Sequence, residues 1–224
     1  SFFVSNVKNV SNFVHIMSKT EKHIELLVNC AHLFMKYGIK SLTMNDIATH
    51  LGISKKTLYL YVTDKKDLVN QTVQIQIDNE ECILEETISH EGNAIDELLR
   101  INQKVSEKLH NIQPGVMYDL QKFYPEAWKI FQNHKCNYIP TIVEANIEKG
   151  VKEGLYRENA NPKIISKFYI TMVDKMFDVE LFPPMDFNYK ALHLEMARYH
   201  IRGIASKKGI EYLKEKLAQT NQEF

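Results

Sequence analysis

The chain has 224 residues, of which 44% are hydrophobic and 25% are charged, and its formal net charge at pH 7 is zero. This composition is ordinary for a globular protein and excludes one that coats nucleic acid or membrane with its whole surface. No apolar run approaches the roughly 20 residues of a membrane span. The three cysteines are far apart, which favours reduced thiols in a cytosolic protein over disulfides or a zinc site.

The N-terminal residues 1–17 lack the charged start, continuous apolar centre and small-residue exit of a signal peptide, and we expect a flexible arm there. A capping-box pattern follows, with Ser18 and Glu21 three residues apart. Apolar residues then recur at helical spacing as far as Gly38, which suits the end of a helix. The first helix is therefore predicted from Ser18 to Gly38.

Two short helices and a longer one are predicted next, each with its own start signal. Thr43 and Asp46 form a cap and its third helical residue, Ser54 caps the following segment, and Asp64 opens the next one. The predicted helices are 43–52, 54–62 and 65 to about 86. The net charge of residues 18–70 is +3, so these elements form a weakly basic region on a weakly acidic remainder.

The remaining chain also has helical spacing and no strand pattern. The predicted helices are 94–111, 116–124, 125 to about 153, 162–178, 189–205 and 210–218. Pro140 falls inside the longest of them, so a kink or a break is expected there. The sequence thus predicts an all-α protein of about nine helices.

The second and third helices have the pattern of a helix-turn-helix, in which two helices cross at roughly a right angle. Apolar residues fall where the pair must meet, a small residue allows close approach, and a glycine supplies the turn. The predicted packing set is Ile47, Ala48, Leu51, Gly52, Ile53 and Leu58. The alternative is an ordinary helical hairpin within a larger bundle.

The outward residues of this motif combine cations, hydroxyl groups and aromatic rings. Lysines neutralise phosphates, hydroxyls bond phosphate oxygens, and one or two side chains can reach base edges in a major groove. The predicted DNA-contacting residues are Thr43, Lys55, Lys56, Thr57, Tyr59, Tyr61 and Lys65. Tyr59 and Tyr61 could instead be partly buried in the core.

This region resembles the N-terminal module of the TetR (tetracycline-repressor) family of bacterial regulators. The run LTMNDIATHLGISKKTLYLYVTDKKDL matches the family pattern at Thr43, Ile47, Ala48, Gly52, Ile53, Ser54, Thr57, Leu58, Tyr59, Tyr61, Lys65 and Leu68. It departs from the pattern at Lys56, Leu60 and Val62, and the first two departures put the operator sequence in doubt. The resemblance implies a DNA-binding head at residues 18–64 and a ligand-binding and dimerisation body at residues 65–224.

The resemblance also implies a homodimer in which two C-terminal helices of each subunit form a four-helix bundle. The segments that fit are 163–178 and 189–205. Their apolar stripe consists of Phe168, Met172, Met176, Leu192, Met196 and Tyr199. The alternative is that these residues pack inside the monomer.

In the family, the body encloses a pocket whose filling by a small molecule changes the spacing of the two heads. The segment between head and bundle offers aromatic residues with a few polar tips, which suits an apolar or aromatic effector. The predicted lining is Met117, Tyr118, Phe123, Tyr124, Trp128, Phe131 and His134. The alternative is plain core.

No catalytic residue, cofactor or metal is predicted, since no HExxH motif, paired His–Cys spacing or glycine-rich phosphate loop occurs. His193 and His200 share a helix face but are expected to be solvated or packed rather than metal ligands. We expect a sequence-specific transcriptional regulator, most simply a repressor released by its effector. The alternatives are a helical small-molecule-binding protein or enzyme with an incidental helix-turn-helix, and a helical adaptor.

Overall fold

The computed structural model describes the backbone of residues 2–89, 91–109, 112 and 115–220, and the side chains of 20–88, 91–109, 112 and 115–219. These residues form eleven α-helices and one π-helical segment, and their only bridge of strand type joins Tyr156 to Ala205. The elements are α1 (Phe2–Tyr37), α2 (Met44–His50), α3 (Lys55–Leu58), α4 (Lys65–Ser89), α5 (Ala94–Leu109), α6 (Gly115–Phe123), α7 (Pro125–Asn133), the π segment (His134–Tyr138), α8 (Ile139–Lys152), α9 (Pro162–Met176), α10 (Tyr189–Ile204) and α11 (Lys207–Thr220). The all-α prediction is confirmed.

The first helix begins earlier than the predicted Ser18. Helix α1 begins at Phe2 and runs without interruption to Tyr37, so Ser18 lies inside it and is not its cap. The reason is visible in the sequence, because no glycine or proline occurs between Phe2 and Tyr37 and extension of an existing helix is favourable. The side chains before Thr20 lie outside the described residues.

A break in the helix predicted from residue 125 to about 153 is confirmed. Pro140 has no amide hydrogen and would clash with the carbonyl four residues earlier in a regular helix. The chain accommodates it with the π segment immediately upstream, where the amide of Ile139 donates to the carbonyl of His134. Helices α7 and α8 are therefore separate, and the π segment carries His134 into the interior.

The larger apolar core connects the head to the body. Phe34 from α1 and Leu58 from α3 belong to the same buried cluster as Leu68 and Val69 from α4 and Leu120 from α6. Buried apolar area is the main stabilising term in folding. The head is therefore seated on the body by shared packing and is not attached by a free linker.

A second core joins α5, α8, α10 and α11 around a buried polar network. The amide of Asn146 donates to Glu97 Oε1 at 2.9 Å and to the carbonyl of Ala94 at 2.9 Å, and Tyr156 donates to Asn146 Oδ1 at 3.0 Å. The ammonium group of Lys149 lies 2.9 Å from Glu97 Oε2. Because these buried polar groups are hydrogen-bonded to one another, the network holds α8 against α5 without the free-energy cost of an unpaired buried group.

Candidate nucleic-acid interface and effector cavity

Two helix caps set the ends of the helix-turn-helix. The hydroxyl of Thr43 accepts from the amide of Asp46 at 3.2 Å, and Asp46 Oδ2 accepts from the amide of Thr43 at 2.8 Å. The Thr43 hydroxyl and the Thr43 amide both donate to the Asp46 carboxylate, and these two hydrogen bonds lower the pKa of Asp46. At α3, the hydroxyl of Ser54 accepts from the amide of Thr57 at 3.0 Å. Both helices therefore start where the sequence pattern predicts.

The predicted packing residues meet between α2 and α3. Ile47, Ala48 and Leu58 are buried, whereas Leu51 and Ile53 are partly buried against the same cluster. Gly52 has a φ of +67°, a left-handed conformation that a residue with a Cβ adopts only with strain. The amide of Ile53 donates to the carbonyl of Ala48 at 3.0 Å and so closes the end of α2. The turn therefore needs glycine for its backbone conformation.

The second helix of the helix-turn-helix is shorter than the predicted 54–62. Helix α3 has four residues, and the chain continues from Tyr59 as a tight turn. The amides of Leu60 and Tyr61 donate to carbonyls three residues earlier, at 3.1 Å each, which is the pattern of a narrowing last turn. The β-branched Val62 and Thr63 that follow are poor helix formers.

The predicted DNA-contacting side chains of α3 and its turn separate into two groups. Lys55, Lys56 and Tyr59 are exposed, and the ammonium group of Lys55 lies 6.0 Å from the centre of the Tyr59 ring. Thr57 is half-buried with its hydroxyl 2.8 Å from that of Ser54. Tyr61 is half-buried with its ring 5.2 Å from the His23 ring. The exposed members of the predicted set on α3 and its turn are therefore two lysines and one tyrosine, and Leu60 beside them is also exposed.

The side chains of Lys65 and Thr43, both predicted to contact DNA, form hydrogen bonds within the protein. The ammonium group of Lys65 donates to the carbonyl of Ile39 at 2.7 Å and to that of Leu42, so it holds the turn between α1 and α2. Burial lowers the pKa of Lys65 despite the nearby carboxylates. The exposed Thr43 hydroxyl donates to Asp46 at 2.7 Å. Lys65 is thus a structural residue, contrary to its prediction as a phosphate contact, and Thr43 is first of all a cap.

The predicted pocket residues lie in three different environments. Met117, Phe131 and His134 line a cavity of about 140 Å³ beneath α4. Phe123, Tyr124 and Trp128 are absent from its lining and pack in the larger core, and Tyr118 is exposed with Lys122 above its ring. The last four are therefore corrected from lining to core or surface.

The remaining cavity lining comes from elements distant in sequence. The wall on the head side comes from α1 and the turn after it, and α4 and α5 supply polar groups. The additional lining residues include Phe34, Ile39, Val69, Thr72, Glu80 and Lys108. Sequence reasoning missed them because the apolar periodicity of α1 and α4 indicates only that a face is buried, and not what lies opposite.

A charged cluster closes one end of the cavity. The ammonium group of Lys108 lies 3.3 Å from Glu80 Oε2, and His134 Nδ1 lies 3.0 Å from Glu81 Oε1. Burial alone would lower the pKa of His134, but the facing carboxylates Glu80 and Glu81 raise it above its usual value. Burial likewise opposes ionisation of Glu80, but His134 and Lys108 lower its pKa. The cluster therefore favours the protonated form of His134 and the ionised form of Glu80.

The proposed dimer stripe is divided between surface and core. Phe168 and Tyr199 are 64% and 76% exposed, and Met172 is also exposed. Met176 and Met196 are buried within the monomer, and Leu192 is partly buried. The two buried methionines are corrected to monomer core, because α9 packs directly on α10 and uses one face of each helix. Ile164 extends the exposed stripe by one turn at the start of α9.

The two C-terminal histidines are packed in the interior. His193 and His200 are buried, burial lowers the pKa of each to about 4, and the His200 ring lies 5.0 Å from that of Tyr169. Throughout the part of the chain that the structure describes, no three His, Cys, Asp or Glu residues are grouped to hold a metal ion. Within the same residues, every helix is too short or too polar to cross a bilayer.

Comparison with known proteins links this geometry to bacterial regulators. The sequence model described as "Bacterial regulatory proteins, tetR family" matches residues 26–72. The uncharacterized HTH-type transcriptional regulator YvaF of Bacillus subtilis is 25% identical over 145 residues, which cover 62% of this chain and 73% of that protein.

Two solved structures share the fold of the chain. A putative transcriptional regulator from Saccharomonospora viridis in complex with choline has a TM-score of 0.67 at 13% identity, over 84% of this chain and 100% of that one. A TetR-family transcriptional regulator from Agrobacterium tumefaciens has a TM-score of 0.66 at 13% identity, over 83% of this chain and 99% of that one. Helices of head and body alike therefore have counterparts in these proteins.

Proposed function

We propose that the chain is a bacterial transcriptional regulator of the TetR family, and that it acts as a homodimeric repressor released from its DNA operator by a small molecule. Residues 18–64 act as the DNA-binding head in this proposal, and residues 65–224 bind the effector and form the dimer. The protein functions without a cofactor and without catalysis, in the cytoplasm where its operator lies.

The observation that carries the proposal is the exposed tip of the helix-turn-helix. Lys55 and Lys56 extend from the start of α3 beside the exposed ring of Tyr59, and no carboxylate of the described residues pairs with either ammonium group. A short helix with cations at its N-terminal end fits a major groove, where lysines contact phosphates and one side chain reads a base edge. Thr57, two residues after Lys55, is partly accessible.

The exposed stripe on α9 and α10 supports the dimer. Ile164, Phe168 and Met172 recur every four residues on α9, and Tyr199 extends from α10. Such a row of large apolar side chains is costly in water and is buried when two copies pair across a twofold axis. Pairing also explains DNA specificity, because a single helix-turn-helix contacts too few base pairs and two heads occupy half-sites about one helical turn apart.

The position of the cavity supports control by an effector. It lies between α1 of the head and α4, α6 and α7 of the body. Helix α6 also holds the turn that follows α1, since Asp119 Oδ2 accepts from the amide of Lys40 at 2.8 Å and the Lys40 ammonium group lies 4.2 Å from the Phe123 ring centre. A molecule that binds more tightly to one orientation of the head on the body than to another shifts the equilibrium between these two conformations.

A gel-shift assay of the purified chain on the DNA upstream of its own coding sequence tests the proposal. We expect a discrete complex that is at least a hundredfold tighter than the complex with random DNA of equal length, and that weakens steeply with salt. Equal affinity for the two DNAs across a salt series would contradict a sequence-specific regulator.

A further inference from the structure

The size of the cavity limits what it holds. Its volume is about 140 Å³, and its walls include Phe34, Met117, Leu120 and Phe131. An apolar cavity of about 150 Å³ in another protein holds benzene, whereas drug-sized ligands occupy pockets of roughly 300 Å³ or more. The cavity therefore suits one ring.

Two buried polar atoms at this cavity have no hydrogen-bond partner within the described protein. Thr72 Oγ1 and His134 Nε2 are each shielded from water, and neither has a hydrogen-bond partner among the described residues. His134 Nε2 forms an ion-pair contact with Glu80 Oε1 at 3.6 Å, which is longer than an ordinary hydrogen bond. Because unsatisfied buried polar groups are rare in native proteins, each calls for an outside partner.

The charges around the cavity favour a neutral ligand. Glu80 pairs with Lys108 at 3.3 Å, and His134 lies between Glu80 and Glu81. Within the lining, an anionic ligand would meet the carboxylate of Glu80, and a cationic one would meet the ammonium group of Lys108 and the imidazole of His134. A hydroxyl group meets neither difficulty, since it accepts from His134 Nε2 and donates to a carboxylate.

The spacing along α4 requires polar groups at both ends of the ligand. Thr72 and Glu80 lie on one face of the helix, eight residues or about 12 Å of rise apart. One hydroxyl cannot reach both, because a hydrogen bond between two oxygens is only about 2.8 Å long. A six-membered ring with substituents at opposite positions is long enough to approach both ends.

Building on the proposed function, we propose that the effector is a neutral single-ring compound with a hydrogen-bonding group at each end, of the 4-substituted phenol class. Its ring occupies the apolar centre beside Phe131 and Met117. One polar group binds at His134 and Glu80, and the other binds at the hydroxyl of Thr72. Occupation changes the packing between α1 and α6 and thereby alters the seating of the head.

Calorimetry on the full chain with four matched probes tests the ligand class. The probes are 4-hydroxybenzyl alcohol, 4-hydroxybenzoate, tyramine and toluene, which are respectively neutral with two polar ends, anionic, cationic and wholly apolar. We expect the alcohol to bind at least tenfold more tightly than the other three. Failure of the alcohol to bind, or equal binding of a charged probe, would overturn the proposal.

Two threonine variants on α4 test the placement. Thr72→Val removes one hydrogen bond at constant shape and should weaken binding of 4-hydroxybenzyl alcohol about tenfold. The matched control is Thr87→Val. Thr87 is also buried on α4, but its hydroxyl donates to the carbonyl of Ile83 at 2.6 Å, and Thr87 does not line the cavity. Equal affinities of the two variants would overturn the placement, and unchanged melting temperatures check that both fold.

The gel shift on upstream DNA separates the two proposals. Release of the complex by 4-hydroxybenzyl alcohol supports the effector, and tight probe binding with unchanged operator affinity overturns its role as effector. If the chain binds its operator specifically but binds none of the four probes, only the proposed ligand class is wrong. If the chain binds 4-hydroxybenzyl alcohol but shows no preference for the operator over random DNA, only the proposed repressor function is wrong.

Discussion

Two lysines of the predicted DNA interface, Lys55 and Lys65, show how the surroundings of a side chain decide its function. Lys55 is exposed at the start of α3, and we expect Lys55→Ala to weaken DNA binding for all sequences, because a phosphate contact carries no sequence information. The slope of log affinity against log salt should become shallower by about one per subunit. Lys214→Ala, at an exposed position of α11, is the control and should leave the slope unchanged.

Lys65 should behave differently although it also lies in the predicted interface. Its ammonium group satisfies the carbonyls of Ile39 and Leu42, so Lys65→Met should cost about 1–3 kcal/mol of unfolding free energy. Urea unfolding measures this loss, and the salt slope of DNA binding should stay close to that of the parent. A shallower slope with unchanged stability would show instead that Lys65 contacts phosphate.

At the scale of single elements, close contact between α8 and the loop after it makes a specific demand. A Cβ built on Gly150 would lie 2.1 Å from Cδ2 of the buried Tyr156 ring, whereas a Cβ on Gly203 of α10 has open space around it. Gly150→Ala should therefore destabilise by about 1–3 kcal/mol through overpacking. Gly203→Ala should stabilise by up to about 1 kcal/mol, since alanine favours helix.

Urea denaturation midpoints of these two alanine variants provide the measurement. Both substitutions add one methyl group to a helical glycine, so helix propensity alone predicts the same sign for both. Opposite signs would show that the contact with Tyr156 outweighs propensity at position 150. A stabilised Gly150→Ala variant would contradict the packing described for the second core.

At the scale of the whole molecule, the exposed stripe on α9 should control both assembly and DNA binding. Phe168→Glu places a charge in the proposed interface, and we expect a monomer by analytical ultracentrifugation and loss of specific DNA binding. Tyr118→Glu changes an exposed ring on α6 and should leave the dimer intact. A dimeric Phe168→Glu protein would locate the interface elsewhere.

The sequence by itself determined the helical fold and the helix-turn-helix, because these depend on local signals. The caps at Thr43 and Ser54, the turn at Gly52 and the buried faces of α2 and α3 are fixed by residues within a few positions of one another. The disruptive effect of Pro140 on its helix is local in the same way.

Only the tertiary structure decided which side chains on the apolar helix faces point into the cavity, the solvent or the monomer core. Periodicity shows that Met176 and Phe168 lie on apolar helix faces, but burial of the first and exposure of the second depend on how α10 lies against α9. The inward orientation of the Lys65 side chain depends on the carbonyls of Ile39 and Leu42, which are more than twenty residues away in the sequence. Such contacts form between elements distant in the chain, so no local pattern encodes them.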